Sequence, residues 1–236
     1  MSVSSSSPAS ASIPDGARTF SAPAPPSLSL GVIGNCAFSA LVDSRARIVW
    51  CCLPRFDADP VFNALLDPSE NGSAFAIEIE NFSHSKQWYE HNTAVLRTQL
   101  FDTSGQAVEV TDFAPRFYRR SRFFRPMTLV RRVRPIQGAP RIRVALDIRY
   151  DWGRSQPVVT QGSNHLRYVG DALTLRLNTD APLAHLLSRQ AFVLTREHNF
   201  LLGADESLVD GIADTARLFE EETLAYWRKW SQRLHL

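Results

Sequence analysis

Alternation of apolar and polar residues constrains this chain more than any other feature of its sequence. It is clearest in residues 75–80, 106–113 and 141–148, where one face of an extended chain would be apolar and the other polar or charged. Successive side chains of a β-strand point to opposite faces, so this pattern is typical of strands with one buried face. The sequence therefore predicts two-faced strands of the kind found in antiparallel sheets.

Short runs rich in Val, Ile, Leu, Phe and Tyr continue from residue 28 to about residue 193. The segments 102–105 and 161–164 carry turn-forming residues between two such runs, as hairpin connections do. Because no helical pattern separates the runs, the sequence favours an all-β fold, an antiparallel β-sandwich, over a parallel sheet with crossover helices. Further strands are predicted at 38–42, 46–52, 86–91, 94–101, 127–134, 157–161, 165–169, 172–177, 183–187 and 190–194.

The periodicity changes near the C-terminus, where the sequence predicts one amphipathic helix of about 20 residues. Acidic residues precede basic ones in this segment, an order that suits the helix dipole. The aromatic stripe of the helix is larger than packing on its own sheet requires, so we predict that it docks onto another domain; packing on the sandwich itself is the alternative. The stripe consists of Phe219, Tyr226, Trp227 and Trp230.

Composition bounds the remaining possibilities. Residues 1–27 are rich in Ser, Ala and Pro, so we predict a disordered tail there, and they lack the features of a secretory signal. With 44% hydrophobic residues, 21% charged residues and a net charge of +2, the chain has ample material for a core and gives no general reason to expect a nucleic-acid or membrane partner. The three cysteines, two of them adjacent, fit a reducing compartment, and we predict a cytoplasmic protein.

A turn that begins with a proline presents Arg55, Phe56 and Asp57 between two predicted strands. An arginine and a carboxylate two residues apart in an extended loop point to the same side. They could therefore form hydrogen bonds with sugar hydroxyls or with each other. The simpler interpretation is an ion pair that anchors the loop, because local pairs of this kind are common and weak.

Other candidate sites are weaker. Residues 115–126 interleave five arginines with four aromatic residues, as single-strand nucleic-acid platforms do, but arginine stems that cover apolar surface are the favoured interpretation. The histidines and cysteines lack metal-ligand spacing and no phosphate-binding loop is present, so we predict neither a metal nor a cofactor. The aspartate pairs Asp57 with Asp59 and Asp102 with Asp112 lie in or beside turns, which predicts local capping roles.

Four segments, taken in order, resemble the N-terminal domain of bacterial family-15 glycoside hydrolases, the glucoamylase and trehalase-like enzymes. Residues 33–67 are similar to the family's opening motif, which contains P-R-F-D, and residues 110–116 to its V-x-D-F-M-P. Residues 149–157 resemble F-D-Y-G-R-x-x-P, and residues 223–230 resemble the T-x-x-Y-W-R-x-W helix. The resemblance covers about residues 28–232, and four motifs in order are more specific than one.

The resemblance implies a β-sandwich and a linker helix that leads into an (α/α)6 catalytic toroid. Inverting glycosidases need an acid and a base carboxyl roughly 6.5–9.5 Å apart. No glutamate of this chain matches the family's catalytic motifs, so we predict no catalytic residue here. Asn35, Ala58 and Trp152 stand where the family more often has Asp, Ser and Tyr, which weakens the expectation that these side chains contact sugar.

We therefore predict a tail over residues 1–27, a β-sandwich domain over 28–206 and a linker helix over 207–236 toward a missing catalytic domain. The expected function is that of a non-catalytic domain of a glycoside hydrolase. It would pack on the (α/α)6 domain, in the same polypeptide or as a separate chain, and shape the cleft for an α-glucoside such as trehalose or a malto-oligosaccharide. Arg55, Phe56 and Asp57 would border that cleft.

Two alternatives belong to other functional classes. A free-standing carbohydrate-binding module would stack solvent-facing aromatics such as Trp88, Tyr89 or Trp152 on sugar rings. A nucleic-acid-binding protein would use residues 115–126.

Overall fold

The computed structural model describes residues 19–20, 28–67 and 72–233, which form two antiparallel β-sheets packed face to face. A long C-terminal helix, α2 (Ile212–Ser231), lies on the outer side of one sheet, and a short helix, α1 (Leu183–Ser188), and a 3₁₀ turn, Asp151–Gly153, lie in connections. The strands are β1 Gly31–Gly34, β2 Ser39–Val42, β3 Arg47–Cys52, β4 Pro60–Phe62, β5 Phe75–Ile79, β6 Phe82–Tyr89, β7 Leu96–Asp102, β8 Ala107–Phe113, β9 Phe117–Arg119, β10 Arg122–Phe124, β11 Thr128–Gln137, β12 Arg141–Leu146, β13 Val158–Gln161, β14 His165–Val169, β15 Thr174–Thr179, β16 Phe192–Val193 and β17 His198–Ala204.

The first sheet has the strand order β1-β2-β3-β5-β12-β16, with β4 paired to β3. The second sheet has the order β13-β14-β15-β17-β11-β8-β7-β6. Strands β9 and β10 form a separate two-stranded hairpin. Apolar side chains from the facing sides of both sheets form one core, which includes Ile48, Phe75, Val110, Val133 and Phe200. The predicted antiparallel sandwich is confirmed.

A fully buried ion pair crosses this core. Asp112 of β8 accepts hydrogen bonds from Arg131 of β11, at 2.7 Å from Nε and 3.1 Å from Nη2. The same guanidinium donates to the backbone carbonyls of Phe75 and Ala46, which belong to the first sheet and to its β2–β3 turn. Arg131 thus connects the two sheets, and Asp112 holds it in place. The capping role predicted for Asp112 is wrong, because this residue lies inside a buried strand.

Helix α2 packs on the outer face of the second sheet through a second apolar cluster that includes Phe113, Val130, Leu201 and Phe219. Glu220 lies in the same interface, where both of its carboxylate oxygens accept hydrogen bonds from arginines of the sheet. The donors are Arg97 of β7, at 2.9 Å, and Arg132 of β11. An acidic residue is buried here because it is paired from two sides.

The predicted helix at the C-terminus is confirmed, but several segments differ from prediction. The short strands β1, β4, β9 and β10 were not predicted, and two longer segments also differ. Residues 183–187, expected as a strand, lie in helix α1, where Leu183 and Leu186 are buried at helical spacing after Pro182. Short apolar runs fit either element, and the proline favours a helix start. Strand β17 was not predicted, because it is covered on both faces, by the core and by α2, and so lacks alternation.

The predicted tail lies outside the described residues except for Thr19 and Phe20. Thr19 exchanges hydrogen bonds with Asn81, and the Arg143 guanidinium lies over the Phe20 ring at 4.2 Å. These two residues therefore contact the sandwich. In the described part of the chain, neither helix is both long enough and apolar enough to cross a membrane.

Candidate functional site at one end of the sandwich

The turn after β1 and the loop after β3 emerge at the same end of the first sheet. Gly34 at the end of β1 lies opposite Ser39 of β2, and Ala40 of β2 lies opposite Cys51 of β3. Antiparallel pairing therefore brings residues 35–38 and 53–59 to one edge. The loop 53–59 carries the P-R-F-D sequence.

Arg55 and Asp57 form a two-point ion pair in this loop. The distances are 3.0 Å from Nε to Oδ1 and 2.6 Å from Nη2 to Oδ2, and the side chains are 72% and 69% exposed. The hydrogen bond from Arg55 holds the pKa of Asp57 below its usual value. Phe56 between them is 57% exposed. The two charged groups pair with each other and remain accessible to a ligand.

Trp152 brings the third of the four segments beside the first. Its ring lies 6.4 Å from that of Trp50 on β3, and Trp152 is 53% exposed. The backbone at Trp152 is left-handed, with φ of 56°, a rare conformation for a bulky residue. Gly153 follows with φ of 92°, and an added Cβ would lie 2.5 Å from Nδ2 of Asn63. This turn is held tightly against β4 and projects Trp152 outward.

Arg116 joins the first, second and fourth segments. Its Nη1 donates to the backbone carbonyl of Asn35 at 2.6 Å, and its Nε donates to the Tyr226 hydroxyl at 2.9 Å. The backbone N–H of Arg116 donates to Thr223 Oγ1 at 3.2 Å. Its guanidinium also lies over the rings of Phe123 and Tyr226, at 5.0 and 5.1 Å. The only signal for this role in the sequence is that Arg116 ends the second of the four segments.

Asn35 is buried and holds the base of the β9–β10 hairpin. Its Nδ2 donates to the carbonyls of Pro126 and Pro115, at 2.8 and 3.3 Å, and its Oδ1 accepts from the N–H of Ala37 at 3.0 Å. A carboxylate cannot donate these two bonds. Asn35 therefore has a structural task in this chain.

The aromatic stripe of α2 divides into two parts. Phe219 is buried against Phe117 and Phe124 of the hairpin, with ring centroids 5.8 and 5.4 Å away. Tyr226 and Trp227 are half-buried, and Trp230 is 47% exposed. The first part of the stripe thus packs on the chain's own sandwich, as the alternative interpretation had it, and the second part faces outward.

The hairpin and the C-terminal half of α2 enclose a groove of about 440 Å³. We call it the basic aromatic groove. Its lining residues are Arg116, Phe117, Tyr118, Phe123, Glu222, Ala225, Tyr226, Lys229, Trp230 and Arg233. Because Arg116 contacts Asn35, the groove and the P-R-F-D loop lie at the same end of the sandwich.

The remaining candidates lie apart from these contacts. Asp102 accepts hydrogen bonds from the N–H groups of Ser104 and Gln106, which confirms its capping role. Trp88 and Tyr89 are 39% and 42% exposed on the edge strand β6. Among the residues that the structure describes, no three His, Cys, Asp or Glu side chains are grouped as metal ligands would be.

Comparison with known proteins finds similarity to trehalases. A trehalase of Thermoplasma volcanium is 25% identical over 216 residues, which cover 85% of this chain and 33% of that protein. Trehalase 1 of Sulfolobus acidocaldarius is 41% identical over 88 residues, 36% of this chain and 15% of that protein. The chain thus spans about a third of the longer match, and no solved structure gives a significant match. Residues 19–182 match the model of the trehalase-like, N-terminal family, and the chain belongs to that family.

Proposed function

We propose that this chain is a non-catalytic domain of a family-15 α-glucoside hydrolase, which packs on the catalytic domain and shapes its substrate cleft. The family match and the two trehalases support a domain of a trehalase-like protein. Trehalose or a malto-oligosaccharide is the proposed substrate of the whole enzyme. The catalytic glutamates are assigned to an (α/α)6 domain, in the same polypeptide or in a separate chain.

One observation carries the proposal: the P-R-F-D loop and the outward-facing part of α2 lie at the same end of the sandwich. Arg116 links the two regions through Asn35 and Tyr226. A catalytic domain that docks on Tyr226, Trp227 and Trp230 would therefore face the loop as well. Phe219, included in the predicted docking set, is already covered by the hairpin.

The chemistry of the loop suits a cleft border rather than a catalytic centre. A general acid must hold its proton near the working pH, but the pKa of Asp57 is lowered by the hydrogen bond from Arg55. Asp57 is therefore ionised at neutral pH. An exposed, ionised Arg–Asp pair offers donors and acceptors to sugar hydroxyls, and Phe56 adds an apolar surface beside them.

Steady-state kinetics of the complete α-glucoside hydrolase that contains this domain test the cleft-border role. We expect Arg55→Ala to raise KM for the α-glucoside severalfold and to leave kcat within about twofold, because the pair acts in binding. The matched control is Arg217→Ala, which removes a similarly exposed ion pair with Asp214 from the first turns of α2. Unchanged KM in Arg55→Ala and Asp57→Ala would refute the role of the loop.

Sugar binding by the isolated chain is a second candidate, favoured by the exposed Trp152 and its contact with Trp50. Tryptophan fluorescence during titration with trehalose or maltoheptaose tests it, with Trp152→Ala as the matched variant. A saturable response that is lost in Trp152→Ala would establish a binding module. The absence of a response at millimolar sugar would leave the domain-packing role alone.

We also propose a cytoplasmic location. Cys36, Cys51 and Cys52 are all free thiols, and Cys36 is exposed. Unpaired cysteines of this kind fit a reducing compartment.

A further inference from the structure

The basic aromatic groove carries positive charge that the described part of the chain does not neutralise. Its lining contains three basic residues, Arg116, Lys229 and Arg233, and one acidic residue, Glu222. Among the described residues, none places a carboxylate within 4.0 Å of these three cations. Many arginines on other surfaces of the sandwich are paired, as Arg141 is with Glu80 and Arg167 with Asp205.

The positive surface continues onto the adjacent hairpin. Arg119, Arg120 and Arg122 are exposed there, and they too lack a carboxylate partner in the described part of the chain. Elsewhere on the sandwich, paired arginines are held in place by acidic side chains. The clustering of unpaired cations in this region therefore indicates a surface that is complementary to negative charge.

Aromatic side chains form the walls of the groove. Tyr118 and Phe123 are 55% and 48% exposed, with ring centroids 4.2 Å apart, and Trp230 is 47% exposed. Arginine, tyrosine and tryptophan are the residue types that contribute most often to the binding energy of protein interfaces. The combination of these residue types with a concave shape favours a protein segment as the occupant.

We infer that the basic aromatic groove receives a segment of the catalytic domain that carries aspartate or glutamate side chains next to an apolar side chain. This inference rests on the proposed function and specifies the chemistry of the docking surface. The carboxylates would pair with Arg116, Lys229 and Arg233, and the apolar side chain would pack between Tyr118 and Trp230. Two other occupants, a second copy of this chain and a single-stranded nucleic acid, fit the groove less well.

A second copy of this chain fits the groove poorly. In a symmetric dimer the same patch meets itself, so Arg116, Lys229 and Arg233 would face the same three cations. A single-stranded nucleic acid is also disfavoured, because the net charge of the chain is only +2 and no nucleic-acid-binding motif accompanies these arginines in the sequence. Among the hairpin rings, Phe117 is buried under α2 and cannot stack on a base.

Zero-length cross-linking tests the inference, and the sequence provides its own control. A carbodiimide joins a lysine amine to a carboxylate in direct contact, and the reagent takes up the water that is lost. The chain has only two lysines, Lys229 in the groove and Lys86, which is exposed on β6. In the native α-glucoside-hydrolysing protein that contains this chain, we expect Lys229 to be linked to an Asp or Glu outside this sequence, and Lys86 not to be.

A charge reversal provides the second arm. We expect Lys229→Glu to shorten the half-life of hydrolase activity during heating by about fivefold, as the loss of one charged contact predicts, and Lys86→Glu to leave it unchanged. Circular dichroism melting of the two isolated variant chains shows whether Lys229→Glu acts on the helix itself. An equal loss in the isolated chain would count against the interface.

Several results would overturn the inference. The first is a cross-link that joins Lys229 only to Glu222 or to other residues of this sequence. The second is a cross-link between two copies, detected in a mixture of isotopically labelled and unlabelled chains. The third is saturable binding of single-stranded RNA to the groove. Hydrolysis of trehalose by the uncross-linked preparation is measured separately. Activity without the Lys229 link refutes this inference alone, whereas a preparation with no hydrolase activity refutes the proposed function.

Discussion

Removing the cation from the buried Arg131–Asp112 pair gives the most quantitative test of the fold. Arg131→Met leaves the Asp112 carboxylate uncompensated in the core and deprives the carbonyls of Phe75 and Ala46 of their donor. Breaking a buried ion pair in this way costs about 3–5 kcal/mol. A domain of this size loses ~2–4 °C of Tm per kcal/mol, so we expect a fall of about 10 °C.

Asp112→Leu should cost a similar amount, because it leaves Arg131 charged and buried. The double variant Arg131→Met/Asp112→Leu contains no buried charge, so we expect it to be more stable than either single variant. Urea unfolding at pH 7, followed by tryptophan fluorescence, measures all three free energies. Single variants that lose less than about 1 kcal/mol, or a double variant that loses the sum of both, would show that the two charges do not stabilise each other in the core.

The pH dependence of Arg131→Met supplies an independent check. Burial raises the pKa of Asp112 in the native protein, and Arg131 opposes that rise. Without Arg131 the folded-state pKa rises further. A carboxyl whose folded-state pKa is raised stabilises the fold at low pH, and this stabilisation is lost as pH rises through that pKa. The variant should therefore lose less stability relative to the native protein at pH 4 than at pH 7.

Two further predictions concern single positions. Gly153→Ala should destabilise the domain by more than about 1 kcal/mol, because its φ is positive and its Cβ would contact Asn63 Nδ2; Gly105→Ala, also at positive φ but with no atom closer than 3.9 Å, should cost less. Equal unfolding free energies for the two variants would show that the contact is relieved at no cost. Iodoacetamide should alkylate exposed Cys36 in the folded protein and Cys51 only after unfolding, because burial raises the pKa of the Cys51 thiol. Mass spectrometry that shows equal rates would contradict this.

The sequence was sufficient to predict an element where one face of that element is buried and the other is exposed to solvent. Strands β7 and β12 and helix α2 fall into this class, and each was predicted close to its observed bounds. Strands β5 and β8 are almost fully buried but were also predicted, because their sequences still alternate apolar and polar residues. Strand β17 was missed, because its sequence around Phe200 and Leu201 is apolar on both faces and does not alternate. Residues 183–187 were mistaken for a strand, because a short apolar run has no decisive period.

The candidate site was predictable only in part, because its central contacts are long-range. Arg55 and Asp57 are two residues apart, so their ion pair could be predicted from the local sequence. Arg116 contacts Asn35 and Tyr226, which are 81 and 110 residues away in the chain. Such contacts follow from the topology of the two sheets and from the position of α2, which no local pattern encodes. The basic aromatic groove was visible in the sequence only as the arginine-rich segment 115–126 and the aromatic end of the helix.

We propose that this domain belongs to an α-glucoside hydrolase whose catalytic groups are supplied by another domain. The most direct measurement is immunopurification of the native protein from its source cells with an antibody against residues 28–232, followed by mass determination and assay on trehalose and maltoheptaose. We expect a catalytic domain to be recovered with the antigen, in the same polypeptide or as a bound second chain, and hydrolysis to be observed, whereas the isolated 236-residue chain of 26.5 kDa should be inactive. Native material that hydrolyses neither sugar, or an isolated chain that hydrolyses either, would contradict the proposal.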